Sequence, residues 1–181
     1  MKTRKGFTLV ELLVVIAIMG TLGAMAMIGG QQATDAAKAA NIADSMEKAA
    51  IAMMGYYSDN NETIDKEGTT IAKVVAGANA YLKGTPLTAG TATAASTTPG
   101  AYSVVVTTEG TAGTVNATAA AAKWYLCYTL LDTEKTNGNI AGILANKANR
   151  MQLYGLPTGS TELTALTAYD GTTDTVYMLV R

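Results

Sequence analysis

One acidic side chain stands where a carboxylate is costly. Glu11 is the only charged residue between Lys5 and Asp35, inside the apolar run FTLVELLVVIAIMGTLGAMAMIGG that begins at Phe7. A charge at the centre of a membrane-spanning helix costs about 2.5 to 3.5 kcal/mol, and less near its end. Glu11 therefore calls for a specific explanation. Directly before the run stands MKTRKG, which places three cations, Lys2, Arg4 and Lys5, ahead of the Gly6–Phe7 peptide bond. Elsewhere the chemistry is thin. The chain has no histidine and one cysteine, which excludes Ser/His and Cys/His catalysis, His-ligated zinc, thiolate clusters and an internal disulfide. Cys127 alternates with apolar residues in KWYLCYTLL and reads as a small buried hydrophobe rather than a reactive thiol. Oxygen ligands occur at Asp59, Asn61 and Asp65, and at Asp170 and Asp174 in DGTTD. Neither group has the spacing of a calcium loop: the first lacks the glycine at its sixth position and the second is too short. Both read as solvated turns, with Asp170 and Asp174 the remaining metal candidates. No catalytic set and no cofactor motif emerges, so the chain is expected not to be an enzyme.

The element that must position Glu11 is a helix. From Leu12 to Ile28 every residue is apolar or small except Thr21. With its flanks the segment 7–30 makes about 24 residues and roughly 36 Å of helix, enough to cross a hydrocarbon layer of ~30 Å. The leading cations are expected to stay in the cytoplasm, with everything after Gly30 on the far side of the membrane. A secretory signal peptide shares the basic start and apolar run, but its small-residue cleavage site belongs after the run. Here the candidates around Ala24–Gly30 continue into a helical pattern instead.

The segment KGFTLVELLVVIAIMGTLGAMA resembles the leader and first helix of the type IV pilins and of the type II secretion and competence pseudopilins. The resemblance is close over about the first 30 residues. It implies cleavage by prepilin peptidase between Gly6 and Phe7, N-methylation of Phe7, and a leader comprising residues 1–6. It also implies that Glu11 pairs with the terminal amine of a neighbouring subunit during assembly. The new ammonium at Phe7 would lie four residues, about one helical turn, from the carboxylate. The implied partners are further copies of the chain in a helical filament, the peptidase, an assembly ATPase with its platform protein, and the inner membrane before assembly. Two features depart from the family pattern. No proline interrupts AMAMIGGQQ, where Gly29–Gly30 is the substitute weak point, and the lone cysteine removes the disulfide-closed loop common near pilin C-termini. Some of the pseudopilins that this chain resembles bind calcium in their heads, but solvated turns are the default reading of Asp170 and Asp174.

Beyond Gly30 the helix is expected to continue to about residue 58. Ala39, Ile42, Met46, Ala49, Met53 and Tyr57 recur three and four apart and mark one face, with Asp44, Glu47 and Lys48 opposite. Asp35 and Lys38 are set apart from that stripe. They are placed before the head, paired with each other or with a neighbouring subunit. Ser58-Asp59-Asn60-Asn61 reads as a helix stop and turn. A second helix is expected near 70–82, strands at 102–108, 123–131 and 175–180, the last closing the sheet, and another helix at 139–153. Residues 84–122 carry one charge, Glu109, and read as an exposed Thr/Ala/Gly-rich segment around the 102–108 strand. Glycosylation triplets stand at Asn61 and Asn116, where a bacterial host need not read them.

The expected fold is α+β: a long N-terminal helix whose second half packs on a small antiparallel sheet. Its divisions are a leader (1–6), a transmembrane and assembly helix (7–30), its amphipathic continuation (31–58) and a head (59–181). A formal net charge of −1, with 13 Lys+Arg against 14 Asp+Glu, offers no broad cationic surface, so no nucleic-acid partner is expected. Three alternatives stand beside a pilus subunit at the cell surface. They are a periplasmic secretion pseudopilin, a tip pilin whose head binds DNA or an adhesive ligand, and an unprocessed single-pass membrane protein.

Overall fold

A computed structural model describes residues 6–60, 71–89, 98–106, 123–136, 139–157 and 163–180. Its dominant element is α1 (Leu9–Asp59), 51 residues long, or about 76 Å at 1.5 Å per residue. No proline interrupts it, and it ends at Asn60. There the backbone N–H and the side-chain Nδ2 both donate to the Tyr56 carbonyl, at 3.1 and 2.9 Å. The stop expected at Ser58–Asn61 is thus made by one asparagine filling an orphan carbonyl of the last turn.

Two short helices and a long one complete the α layer: α2 (Ile71–Asn79), α3 (Asp132–Thr136) and α4 (Asn139–Met151). Ile71, Val74 and Ala78 face the core as their spacing implies, whereas Leu82 lies past the end of α2 and is half-buried. Close contact of α2 with α1 depends on Gly77, because a Cβ there would stand 2.1 Å from Cε2 of Tyr56. Helix α4 was expected to reach Leu153 and stops two residues earlier. Gln152 adopts φ 52, a left-handed conformation that ends a helix and turns Leu153 into a strand.

Among the described residues six strands form one mixed sheet, ordered β1-β2-β3-β6-β4-β5. They are β1 (Thr88–Ala89), β2 (Tyr102–Val106), β3 (Trp124–Thr129), β4 (Leu153–Gly155), β5 (Thr167–Ala168) and β6 (Thr175–Leu179). The α+β fold, with a long helix laid on a sheet, is as expected. The sheet is not wholly antiparallel, however, because β1 adds to β2 in parallel, Thr88 opposite Ser103. Nor does β6 close the sheet. It inserts between β3 and β4, pairing Leu126 and Leu153 on either side of Met178.

The core lies between the sheet and the helices. Ala39, Ile42, Met46, Ala49 and Met53 of α1 meet Val104, Val106, Trp124, Leu126 and Val176, with Ile140 and Leu144 of α4. The opposite face of the sheet is buried as well, with Val105, Tyr125, Cys127 and Tyr177 packing on Leu163. Burial on both faces explains why β2 and β3 read as continuous apolar runs. It also corrects the expectation that residues 84–122 are exposed: Leu87 and all of β2 are buried. Residues 90–97 and 107–122 of that segment, including Glu109 and Asn116, lie outside the described residues, as do Asn61 and Asp65.

Candidate functional site

The start of α1 is organised around Glu11. Thr8 is the N-cap, with an extended backbone (φ −75°, ψ 151°), and its hydroxyl oxygen accepts the Glu11 backbone N–H at 3.3 Å. Glu11 Oε2 in return accepts the Thr8 backbone N–H and the Thr8 hydroxyl, both at 2.8 Å. Reciprocal bonds of this kind satisfy orphan donors at a helix start, and the negative charge suits the positive end of the helix dipole. The pattern T-x-x-E was present in the sequence as Thr8–Glu11, although only the glutamate had been singled out.

From Phe7 to Thr34 every described side chain is exposed, and Phe7 itself is 90% exposed. This half of α1 is long and apolar enough, by length and composition, to cross a membrane, and none of its most apolar stretch is buried against the rest of the chain. A Cβ added at Gly6, Gly20, Gly23, Gly29 or Gly30 would meet nothing within 4 Å. Among the described residues, packing gives no reason for a glycine at any of these positions. Lys2, Arg4 and Lys5 lie outside the described residues.

The remaining candidates are absorbed into the head. Asp170 Oδ1 accepts the Thr172 backbone N–H at 2.9 Å and its hydroxyl at 2.7 Å, which hold the carboxyl below the usual carboxylate range. Gly171 between them has φ 85 and backs onto α4, where a Cβ would stand 3.2 Å from the Ala141 carbonyl oxygen. Asp174 instead takes Lys135 Nζ at 2.8 Å. The two aspartates thus hold a turn and an ion pair, and among the described residues no three His, Cys, Asp or Glu side chains gather to hold a metal. Asp59 accepts the Tyr81 hydroxyl at 2.6 Å. Cys127 is fully buried in β3, and burial pushes its thiol well above the ordinary range.

One buried polar position went unrecognised in the sequence and another was misplaced. Glu134 is buried, and its Oε2 accepts the Leu131 backbone N–H at 2.8 Å and the Tyr128 hydroxyl at 3.1 Å, which fastens α3 to the end of β3. Asp35 corrects a stated expectation. It is 2% exposed, and its Oδ2 accepts from Nδ2 of Asn139, the first residue of α4, at 3.1 Å. Among the described residues the buried face of α1 thus reaches back to Asp35, whose carboxylate is held by Asn139 rather than by Lys38. The signal was available. Asp35 lies four residues before Ala39 and continues the stripe of 39, 42, 46, 49 and 53, but its charge set it aside.

Among known protein families, the prokaryotic N-terminal methylation motif matches residues 1–27. No curated protein and no solved structure matches the chain.

Proposed function

From the premise that residues 1–27 carry the prepilin motif of type IV pilins and pseudopilins, we propose that the chain is a structural subunit of a type IV pilus or a closely related filament. Prepilin peptidase cuts the precursor between Gly6 and Phe7 and methylates the Phe7 amine. Before assembly the protein is a single-pass inner-membrane species with its N-terminus in the cytoplasm. Copies then leave the bilayer and pack through residues 7–30, driven by an ATPase and a platform protein. The chain is a substrate of chemistry rather than a catalyst.

The observation that carries this reading is the first half of α1. Apart from Glu11 and Thr21 it is apolar from Leu9 to Gly30, its described side chains are exposed, and it is continuous with a helix whose second half packs into a head. So much apolar area requires a cover, which lipid supplies first and other copies afterwards. Glu11 fits the same account: an unpaired carboxylate is costly there, so pairing with a neighbour's Phe7 ammonium favours the assembled subunit over the solitary one. A glycine at position 6 without an intramolecular reason is consistent with a constraint set by the peptidase.

Mass spectrometry of filaments sheared from cells tests the proposal directly. The expected chain begins at N-methylated Phe7 and is recovered from the filament fraction. A chain that begins at Met1 in every fraction, and never enters filaments, would overturn it. Filaments confined to the envelope would assign it to a secretion pseudopilus instead.

A further inference from the structure

Beside its buried stripe, the second half of α1 carries a polar one. Gln31, Thr34, Lys38, Asn41 and Ser45 recur three and four apart, so they lie along one side of the helix. The first four are exposed, whereas Ser45, at the far end, is half-buried and hydrogen-bonded to Tyr102 of β2. The Thr34 hydroxyl is already used, donating to the Gln31 carbonyl at 2.8 Å. Three side chains of the strip therefore offer donors outward: the ammonium of Lys38 and the amides of Gln31 and Asn41. Among the described residues Lys38 makes no ion pair. Asp35, the carboxylate nearest to it in sequence, is buried against Asn139. Asp44, the next, is taken by Lys48 at 2.6 Å.

We propose that this strip docks on the phosphate groups of phospholipids in the leaflet facing the head, with Lys38 as the cation and Gln31 and Asn41 as neutral donors beside it. The inference rests on the membrane-held stage of the function proposed above. Two observations select a lipid. The strip holds one cation and no anion, which complements an anionic headgroup. It also continues the membrane-spanning half of α1 without a break, at a height from which headgroups are within reach. The polar layer on each side of a bilayer is about 5 to 8 Å thick, and Lys38 Cα stands about 12 Å beyond Gly30. Helix side chains lean toward the helix N-terminus, which here is the membrane side, so the stem of Lys38 carries its ammonium about 5 Å back into that layer. Lys48, about 27 Å beyond Gly30, is out of reach. The contact fixes how deep α1 sits before assembly, and it has to break when the chain leaves the bilayer.

A local probe tests this. Cys127 is fully buried, so a thiol-reactive fluorophore labels only an added cysteine, and Ala37→Cys places it on the exposed neighbour of Lys38. The full-length labelled chain, highly diluted in phosphatidylcholine vesicles, is quenched by phosphatidylglycerol or phosphatidylcholine carrying a nitroxide high on one acyl chain. One cation near the surface is worth about a fivefold preference for the anionic lipid. In this background Lys38→Gln should lower the phosphatidylglycerol preference about fivefold, and Asn41→Asp, which cancels the cation in place, should lower it at least as much. Lys38→Arg should stay near the native value. So should Lys48→Gln, which loses the same charge about 15 Å further along the helix, beyond a Debye length at 0.1 M salt. The leader cations, at the other end of the span, do not enter. No loss in Lys38→Gln, or an equal loss in Lys48→Gln, would overturn the proposal. A preference seen only when chains are crowded would overturn it too, and would assign the strip to a neighbouring copy. A chain that fails to span the vesicle membrane, as read by protease digestion from outside, is a different result, which removes the membrane-held stage and this inference with it.

Discussion

Methionines on a single helix behave in opposite ways along its length. Met19, Met25 and Met27 are 67, 71 and 81% exposed, whereas Met46 and Met53 are 0 and 3% exposed. Residue type is the same, and so is secondary structure. What differs is the surrounding pattern: from Leu12 to Gly30 the helix has no polar face, and after Asp35 the buried residues keep to one face while Asp44, Glu47 and Lys48, together with Ile51 and Met54, lie exposed. A striped helix can bury its stripe against a sheet and leave the rest in water. A helix without a polar face has no such solution within its own chain, and its cover has to come from outside that chain. The change occurs at Asp35, where the first buried side chain of α1 is tied to Asn139.

Four substitutions would sharpen or break this contrast. The largest effect on folding belongs to the head. Trp124→Ala should lower its stability by about 3 to 5 kcal/mol in denaturant melts and leave the chain in the membrane fraction. Next is Leu22→Lys, in the exposed half of α1. It should make membrane insertion less favourable by about 2.5 to 3.5 kcal/mol, seen as loss of alkali-resistant membrane retention, while head stability moves by less than about 0.5 kcal/mol. A comparable loss of head stability would show that the two halves of α1 are not energetically separate. The smallest change falls at the boundary. Asp35→Ala should cost the head about 1 to 3 kcal/mol, since it leaves the start of α4 without its partner, and the exposed Lys38→Ala should stay within about 0.5 kcal/mol. Equal effects at these two positions would argue that the head begins further along the helix.

Much of this organisation was legible because its signals are local. Spacing of three and four identified the buried face of α1, and strand composition identified β2, β3 and β6. Where the reading failed, the reasons were physical. Strands of two or three residues, such as β1, β4 and β5, carry too few side chains to show a period, and they exist because a neighbouring strand supplies their hydrogen bonds. Asp35 was misread because a charge on an apolar stripe looks like the stripe's end, and its partner stands 104 residues away. Thr8 was overlooked because a cap is recognised only when the glutamate three residues later is seen turning back to it.

Read alone, the order of residues determined that a helix apolar on every side precedes a helix with one apolar face, that a single acid lies near its start, and that a glycine precedes that start. These are statements about neighbours in the chain, and helix geometry converts them directly into surfaces. Tertiary structure alone decided that β6 lies inside the sheet, that the DGTTD turn is held by Thr172 and Lys135, and that Asp35 opens the head. Each of these depends on which distant segments meet, and that choice is made by the packing of the whole core rather than by any one stretch of chain.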